Sequence, residues 1–234
     1  MPSTGDDKVF LITGASSGIG AATARQAVAA GYRVVLAARS GDKLATLVDE
    51  LGGAEHALAV TCDVTDFDDQ QAMVAAALGA FGRIDVVLAN AGLGSTAAGV
   101  EGGDPDNWRE MILTNVYGCA LTAKVCLPEL RRRGGHVLLL GSRAGRRINK
   151  GSVYGATKWA VTGLGYNLIE ELDGTGVRCT LIEPGMVDTP FFDTPKPGAL
   201  RSEDVANAIL YAVSQPDHVD VSEIMMKPAS PKSA

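Results

Sequence analysis

The sequence predicts a single-domain α/β fold in which a doubly wound, seven-stranded parallel sheet carries helices on both faces. Seven short segments are apolar on successive residues, as is typical of parallel strands buried on both faces. Alanine-rich helical stretches alternate with these segments along the chain. Glycine accounts for 28 of the 234 residues, well above the usual share of about 7%. This content favours tight turns and close backbone contacts.

The seven expected strands are residues 8–13, 33–38, 57–61, 84–89, 136–141, 177–182 and 221–225. The expected helices are residues 19–30, 42–51, 66–81, 104–133, 152–173 and 202–214. No internal repeat or long linker interrupts the alternation, so residues 1–234 are expected to form one domain. Residues 1–7 are then an N-terminal extension, residues 184–198 a mobile loop that carries Pro and Gly, and residues 227–234 a tail.

The helix boundaries carry recognisable signals. Candidate N-cap residues are Asp42, Asp66 and Ser202. Pro105 suits the first position of the fourth helix, because an N–H group would have no partner there. That helix ends with arginines at 131–133 and then Gly134, which places cations at the negative end of the helix dipole. We favour this interpretation over a basic binding patch.

Charge and hydropathy exclude several classes of protein. Lys and Arg number 21 against 27 Asp and Glu, a net charge of -6. This sign disfavours a protein whose affinity comes from neutralising phosphates, so no nucleic-acid partner is expected. No window reaches the roughly 18 consecutive apolar residues of a membrane span, and the acidic start lacks a signal peptide's basic region. We therefore expect a cytoplasmic protein without a membrane partner.

Cysteine and histidine give no sign of a metal site. The four cysteines lack C-x-x-C spacing and are expected to be reduced, buried thiols. The three histidines show no H-E-x-x-H or paired-ligand spacing, so no metal is expected.

The first strand runs into the turn T-G-A-S-S-G-I-G, which contains Gly14, Gly18 and Gly20. Glycines allow the backbone to approach a pyrophosphate closely, and the N-terminus of the following helix offers unpaired N–H groups. A glycine-rich turn could also serve chain geometry alone. Its position at the first strand-to-helix junction favours nucleotide binding.

A second motif, Tyr154 and Lys158, lies on one face of the fifth helix. A phenol titrates near pH ~10. To act as an acid/base near neutral pH, its pKa must be lowered by about 2–3 units, which needs roughly 3–4 kcal/mol of preferential stabilisation of the phenolate. A neighbouring ammonium could supply much of that, although such a pair alone could also be a solvated face. Ser142 ends the fifth strand at the carboxyl edge of the sheet, where its hydroxyl could bind a reacting oxygen. Asn115 is a poor helix former inside the fourth helix.

Together these motifs resemble the classical short-chain dehydrogenase/reductase family, which has a Rossmann-like fold. The resemblance covers nearly the whole chain, and it includes T-G-x-x-x-G-x-G, Asp63, Asn90-Ala91-Gly92, Asn115, Ser142, Y-x-x-x-K and the P-G-x-x-x-T run at 184–189. It implies a catalytic set of Asn115, Ser142, Tyr154 and Lys158. Tyr154 would be the general acid/base, Ser142 would orient the substrate, and Asn115 would hold a bent helix and a water linked to the lysine. Tyr154 follows Ser142 by one residue fewer than is commonest, which suggests a deletion at 146–151.

The same resemblance implies the binding residues for a nicotinamide dinucleotide. They are Gly14, Ser16, Ser17, Gly18, Ile19, Gly20, Arg39, Ser40, Asp63, Val64, Asn90, Ala91, Gly92, Tyr154, Lys158, Pro184, Gly185, Val187 and Thr189. Asp63 would accept from the adenine amino group, and Thr189 would lie near the nicotinamide carboxamide. Asn90 could instead act chiefly by stabilising the sheet.

The end of the second strand predicts NADP(H). NAD sites place an acidic residue there, to bind the ribose 2′-OH. Between Lys8 and Gly41 this chain has no acidic residue, and Ala38 occupies that position. Arg39 can bind a 2′-phosphate, and Ser40 offers a hydroxyl. The alternative is that Arg39 is an ordinary surface cation.

The expected function is an NADP(H)-dependent oxidoreductase that moves a hydride between the nicotinamide and a secondary alcohol or carbonyl. Its partners would be that small-molecule substrate and copies of itself, because helices 104–133 and 152–173 pair across a two-fold axis in homodimers and homotetramers of the family. A non-catalytic dinucleotide-binding or sensing protein is the alternative. Epimerases and dehydratases of the extended relatives usually carry G-x-x-G-x-x-G and a longer substrate domain, which this sequence lacks.

The substrate is expected to be a small 3-hydroxy acid or a related alcohol/carbonyl pair. Residues 215–224 resemble the branch that contains NADP-dependent serine and 3-hydroxy acid dehydrogenases and carbonyl reductases. Arg143, Arg146 and Arg147 lie between Ser142 and Tyr154, so a cation could bind a substrate carboxylate. These arginines could instead face solvent or a neighbouring subunit.

Overall fold

The computed structural model describes residues 7–229, so residues 1–6 of the expected extension at 1–7 and residues 230–234 of the expected tail lie outside the described residues. Seven strands form one parallel sheet, and their bounds are β1 Val9–Thr13, β2 Arg33–Ala38, β3 Ala57–Thr61, β4 Val86–Ala89, β5 His136–Leu140, β6 Arg178–Pro184 and β9 Glu223–Met226. Across the sheet their order is β3-β2-β1-β4-β5-β6-β9. The predicted seven-stranded doubly wound sheet is confirmed.

The helices are α1 Gly18–Ala29, α2 Gly41–Glu50, α3 Phe67–Phe81, α4 Pro105–Ile112, α5 Cys119–Arg133, α6 Val153–Leu172 and α7 Ser202–Val213. One buried apolar cluster packs α1, α2 and α7 on one face of the sheet, and a second packs α3, α5 and α6 on the other. Burial on both faces explains why the strand residues are apolar in succession. The four cysteines are buried and unpaired.

The structure confirms some of the predicted helix ends and corrects others. The Asp66 side chain accepts hydrogen bonds from the backbone of Asp68 and Asp69, as an N-cap residue does. Asp42 instead lies in the first turn of α2, and Ser202 is the first helical residue of α7. The stretch of three arginines is a helix C-terminus, because Gly134 follows in a left-handed conformation with φ 67°.

The expected helix over 104–133 is continuous, but its middle is a π-helical turn at Leu113–Gly118. Asn115 lies inside that turn and is buried. A π turn widens the helix and leaves room for polar contacts that a regular α-helix closes, and such turns are frequent at functional sites. The resemblance implies a bend in this helix, and the structure has its π turn at the residue concerned.

Pro105–Arg133 is also the one helix among residues 7–229 whose length and composition would allow it to cross a membrane. Within its most apolar window, 44% is buried against the rest of the protein. The core helices of soluble proteins share these properties, so the finding is weak evidence for a membrane span.

The expected loop over 184–198 has structure of its own. Two short strands, β7 Val187–Asp188 and β8 Leu200–Arg201, pair in parallel. This pairing joins the two ends of the loop between them. Their two-residue length explains why the sequence showed no strand pattern there. The loop begins at the carboxyl end of β6, which lies next to the central strands of the sheet.

Candidate active site

A cavity of about 930 Å³ opens at the carboxyl ends of the central strands. This is the edge at which doubly wound sheets bind their ligands. The predicted residues in its wall are Gly14, Ser16, Ser17, Gly18, Ile19, Arg39, Ser40, Asp63, Val64, Asn90, Ala91, Gly92, Ser142, Tyr154, Lys158, Pro184, Gly185, Val187 and Thr189. Gly20 and Asn115 lie outside the wall.

The glycine turn between β1 and α1 fits a pyrophosphate. Gly14 has φ +64°, and a Cβ there would lie 2.8 Å from the Ala91 Cα atom, so a larger residue would be both strained and crowded. The N-cap residue of α1, Ser17, makes no side-chain capping bond, and the first turn of α1 holds no acidic residue. The N-terminal N–H groups of a helix lack acceptors within the helix and favour an anion.

Gly20 supports the turn from outside the cavity wall, and its predicted contact with the cofactor stays a prediction. A Cβ on Gly20 would lie 2.5 Å from the Gly14 carbonyl oxygen and 2.8 Å from the Asn90 amide nitrogen. Its missing side chain lets α1 pack directly on the turn. Gly20 therefore shapes the site from behind the cavity wall.

Asn90 and Asp63 are two polar residues of the cavity wall whose side chains bind the protein itself. Asn90 Nδ2 donates to the carbonyl oxygens of Thr13 at 2.8 Å and Gly14 at 3.1 Å, which ties the end of β4 to the glycine turn. These bonds fit the sheet-stabilising role that the sequence left open for Asn90. Asp63 accepts from the Thr65 backbone N–H and hydroxyl. The backbone bond is the main reason that the pKa of Asp63 is lowered, and nearby Arg39 contributes.

Helix α6 carries the candidate catalytic pair into the cavity. The Ser152 hydroxyl caps this helix by accepting from the Gly155 backbone N–H at 2.9 Å. Lys158 Nζ lies 5.9 Å from the centroid of the Tyr154 ring and donates to the Leu140 carbonyl oxygen at 2.8 Å. Ser142 Oγ accepts from the Ala144 backbone N–H at 3.1 Å. The serine that follows β5 and the pair on α6 thus line the same cavity.

Burial governs the titration of this pair in the protein alone. It raises the pKa of Tyr154, and a hydrogen bond with Ser142 opposes that effect. It lowers the pKa of Lys158 to about 8. The spacing of Tyr154 and Lys158 predicted a lowered pKa for the tyrosine, whereas in the protein without a cofactor desolvation is the largest effect on that pKa and raises it. Tyr154 is therefore protonated at neutral pH, as a proton donor must be.

The Asn115 side chain holds two chain segments together behind the cavity. Its Oδ1 accepts from the Leu93 backbone N–H at 2.9 Å, and its Nδ2 donates to the Leu93 carbonyl oxygen and the Thr157 hydroxyl. The Thr157 hydroxyl in turn donates to the Tyr154 carbonyl oxygen at 2.8 Å. Asn115 thereby links the loop after β4 to the turn of α6 that carries the tyrosine.

The three arginines between Ser142 and Tyr154 separate into two groups. Arg143 and Arg147 lie in the cavity wall. Arg146 points elsewhere, because its guanidinium pairs with Glu183 at 2.7 Å and Glu223 at 2.5 Å. Arg146 is therefore not one of the cations that line the cavity, since two carboxylates of β6 and β9 bind its side chain.

Several residues of the wall were not predicted from the sequence: Leu93, Gly94, Ser95, Thr114, Met186, Phe191 and Phe192. Phe191 is the most notable, because its ring centroid lies 5.7 Å from that of Tyr154. The signal that could have identified it is a pair of adjacent aromatic residues in a chain in which only 5% of the residues are aromatic.

Comparison with known proteins agrees with this geometry. A family model described as short chain dehydrogenase matches residues 8–198. An uncharacterized oxidoreductase of Staphylococcus haemolyticus is 39% identical over 226 residues, which cover 94% of this chain and 97% of that protein.

Two solved structures extend the agreement to the fold. An alcohol dehydrogenase from the archaeon Thermococcus sibiricus, complexed with 5-hydroxy-NADP, has a TM-score of 0.85 at 33% identity, with 97% of this chain and 99% of that chain covered. A serine dehydrogenase complexed with NADP+ has a TM-score of 0.87 at 30% identity, with 97% and 98% covered.

Proposed function

The chain belongs to the short-chain dehydrogenase family, and from that premise we propose that it is an NADP(H)-dependent oxidoreductase acting on a secondary alcohol or carbonyl compound. One observation carries the proposal. Ser142, which follows β5, and the pair Tyr154 and Lys158 on α6 line the same cavity as the glycine turn. A dinucleotide fits this turn because its backbone leaves space for a pyrophosphate and its helix favours an anion.

In this proposal the cofactor supplies the hydride, and the protein positions the reactants and moves a proton. The Tyr154 hydroxyl donates a proton to the substrate oxygen during reduction and receives it during oxidation. The Ser142 hydroxyl orients that oxygen. The Lys158 ammonium stabilises the negative charge left on Tyr154. Asn115 acts through Thr157, since its bonds fix the turn of α6 that bears the tyrosine.

The non-catalytic alternative finds no support. A protein that had lost turnover would be expected to have lost part of the catalytic set. Here all four residues are present, and Asn115 lies outside the wall with its side-chain bonds formed. Catalysis is therefore the better proposal.

We expect a clear preference for NADPH over NADH. Arg39 is exposed and lies in the cavity wall beside Ser40, with Ala38 in place of an acidic residue. A charge-assisted hydrogen bond contributes about 1.5–3 kcal/mol, so Arg39→Ala should reduce the NADPH/NADH ratio of kcat/KM by about 10-fold or more. The matched control is Lys43→Ala, an exposed cation on α2. Equal efficiency with both cofactors, or an unchanged ratio in Arg39→Ala, would show that Arg39 is only a surface cation.

We further propose a small 3-hydroxy acid, or the corresponding carbonyl acid, as the substrate. Arg143 and Arg147 place two guanidinium groups in the wall that holds Ser142 and Tyr154. Guanidinium groups bind carboxylates through paired hydrogen bonds. The similarity to a serine dehydrogenase supports the same class of substrate.

The proposed recognition of a substrate carboxylate is tested by comparing a 3-hydroxy acid with its methyl ester. We expect the acid to be oxidised with a kcat/KM about 10-fold higher or more, because the ester loses a charge-assisted interaction. Arg143→Ala or Arg147→Ala should reduce this ratio, whereas Lys150→Ala, an exposed cation of the same loop, should not. If the ester is the better substrate and neither arginine variant changes the ratio, an apolar carbonyl compound is the better proposal.

We also propose that the protein is a homodimer or homotetramer. Large apolar side chains lie exposed along the helix that contains the π turn (Ile112, Leu113 and Tyr117) and along α6 (Trp159). A second copy that covered them would remove this apolar surface from water. Light scattering should give two or four times the 24.2 kDa chain mass, and Trp159→Glu should shift the mass downward. A monodisperse monomer of the unmodified protein would contradict the proposal.

A further inference from the structure

Phe191 projects from a tight turn that follows β7. Its backbone N–H donates to the Thr189 hydroxyl at 3.3 Å, and the Phe192 N–H donates to the Thr189 carbonyl oxygen at 3.1 Å. Thr189 therefore fixes the path of the chain on which both aromatic side chains are mounted.

The Phe191 ring lies between the candidate catalytic tyrosine and a second aromatic ring. Its centroid is 5.7 Å from that of Tyr154, with an interplanar angle of 59°, and 5.2 Å from that of Phe192 at 75°. Lys196 Nζ lies 4.9 Å from the Phe192 centroid. Such tilted ring contacts are favourable beyond the area that they bury.

Gly94, in the loop after β4, leaves the space that the Phe191 ring occupies. A Cβ on Gly94 would lie 2.6 Å from Phe191 Cζ and 2.7 Å from Cε1, so the ring occupies the space that a side chain would need. Gly94 has no positive φ, and its backbone conformation does not itself require glycine. The missing side chain thus matters for this contact.

We propose that Phe191, seated between Gly94 and Tyr154, sets the upper size of the substituent that a substrate can carry beside its reacting carbon. The proposal rests on the proposed oxidoreductase function and narrows its substrate class to carbonyl compounds with small substituents. A bulky or aromatic substituent next to Tyr154 would have to displace the ring, whereas a short chain would not. Phe191 is then a specificity-determining residue in the loop that leaves β6.

The first test compares NADPH-dependent reduction of a small ketone, butanone, with that of an aromatic ketone, acetophenone. The unmodified protein should favour butanone. Phe191→Ala should raise the acetophenone/butanone ratio of kcat/KM by about 10-fold or more, since a few methylene-sized groups in a pocket change selectivity by that order. An unchanged ratio would overturn the proposal.

The second test uses Gly94→Ala, which leaves Phe191 in the chain but removes the space for its ring. If the ring is seated as described, Gly94→Ala should raise the same ratio in the same direction. It should have no further effect once Phe191 is alanine, because coupled sites are non-additive. Gly102→Ala is the matched control, since its added Cβ would meet only the Ala98 carbonyl oxygen, at 3.4 Å. Independent, additive effects of the first two substitutions would overturn the proposal.

A binding measurement separates failure of this proposal from failure of the proposed function. Acetamide and benzamide are carbonyl compounds that are not readily reduced, and their Kd values for the protein saturated with NADP+ can be measured by ligand-observed NMR. Phe191→Ala should strengthen benzamide binding relative to acetamide. If no ketone or alcohol is turned over but this shift is seen, the oxidoreductase function fails and the size limit stands. If ketones are reduced and neither ratio responds to Phe191→Ala, the size limit fails alone. If neither turnover nor the shift is observed, both fail.

Discussion

Replacing Tyr154 with phenylalanine is expected to lower kcat by a factor of about 10²–10⁴, the usual contribution of a general acid/base. The change removes one hydroxyl and keeps the ring, so the contact with Phe191 and the packing of α6 remain. The Kd of NADPH, followed by its fluorescence, should change little. Tyr211→Phe is the matched control, because Tyr211 is exposed on α7 and lies outside the cavity wall.

The pH dependence adds a second check on Tyr154. Burial raises the pKa of this phenol in the protein alone, so the group that donates the proton is fully protonated at pH 7. Reduction should therefore persist through neutral pH and weaken only on the alkaline side. If Tyr154→Phe still reduced carbonyl substrates at a substantial rate, with the pH profile of the unmodified protein, the proton transfer would belong to another group.

Replacing Lys158 with methionine is expected to separate activity from stability. Turnover should fall by about 10²-fold or more, because the charge that stabilises the tyrosinate is lost. The protein without nucleotide should nevertheless become more stable at pH 7. Burial lowers the pKa of Lys158 to about 8 from 10.5, which corresponds to a cost of roughly 3 kcal/mol for keeping the ammonium charged. The lost bond to the Leu140 carbonyl oxygen offsets about 1 kcal/mol of the gain.

The sign of this effect can be followed with pH. Below pH 8 the lysine is protonated in both the folded and unfolded states, and the cost is present in full. Between pH 8 and 10.5 the unfolded state binds more protons, so the stability contributed by this group rises with pH. Thermal unfolding should show Lys158→Met about 4–8 °C above the unmodified protein at pH 7. The difference should shrink towards pH 10. A destabilised variant at pH 7, or a difference independent of pH, would contradict the burial cost.

The sequence was most informative where a short apolar run is buried on both faces. Strands β2 and β3 lie at the predicted residues 33–38 and 57–61, because turns bound each run on both sides. The last strand was predicted to start at residue 221, but it begins at Glu223. Val221 instead uses its carbonyl oxygen to accept from the Thr180 hydroxyl. Side-chain contacts of this kind are not visible in an apolar pattern.

At the site, sequence spacing predicted contacts within one element and failed for contacts between loops. Tyr154 and Lys158 share a face because helical geometry requires it. The direction of Arg146 depends on Glu183, which follows it at a distance in the chain and is buried in β6. The contact between Phe191 and Gly94 likewise joins two loops. No local periodicity encodes either contact, so only the folded chain reveals them.

The π-helical turn at Leu113–Gly118 has a consequence for how this chain tolerates insertions and deletions. A π turn contains one residue more than the α-helical path it replaces, and each residue of an α-helix turns by about 100°. Deleting one residue from 113–118 would therefore let the helix run on as a regular α-helix, with α4 and α5 in nearly the same orientation. The loss would be local, because the widened turn that places Asn115 against Leu93 and Thr157 would close. A residue gained or lost elsewhere in the helix, where no π turn absorbs it, would instead rotate α4 relative to α5 by about 100°. The length of this turn is thus constrained by the contacts of one side chain, whereas the length of the flanking helices is constrained by their packing.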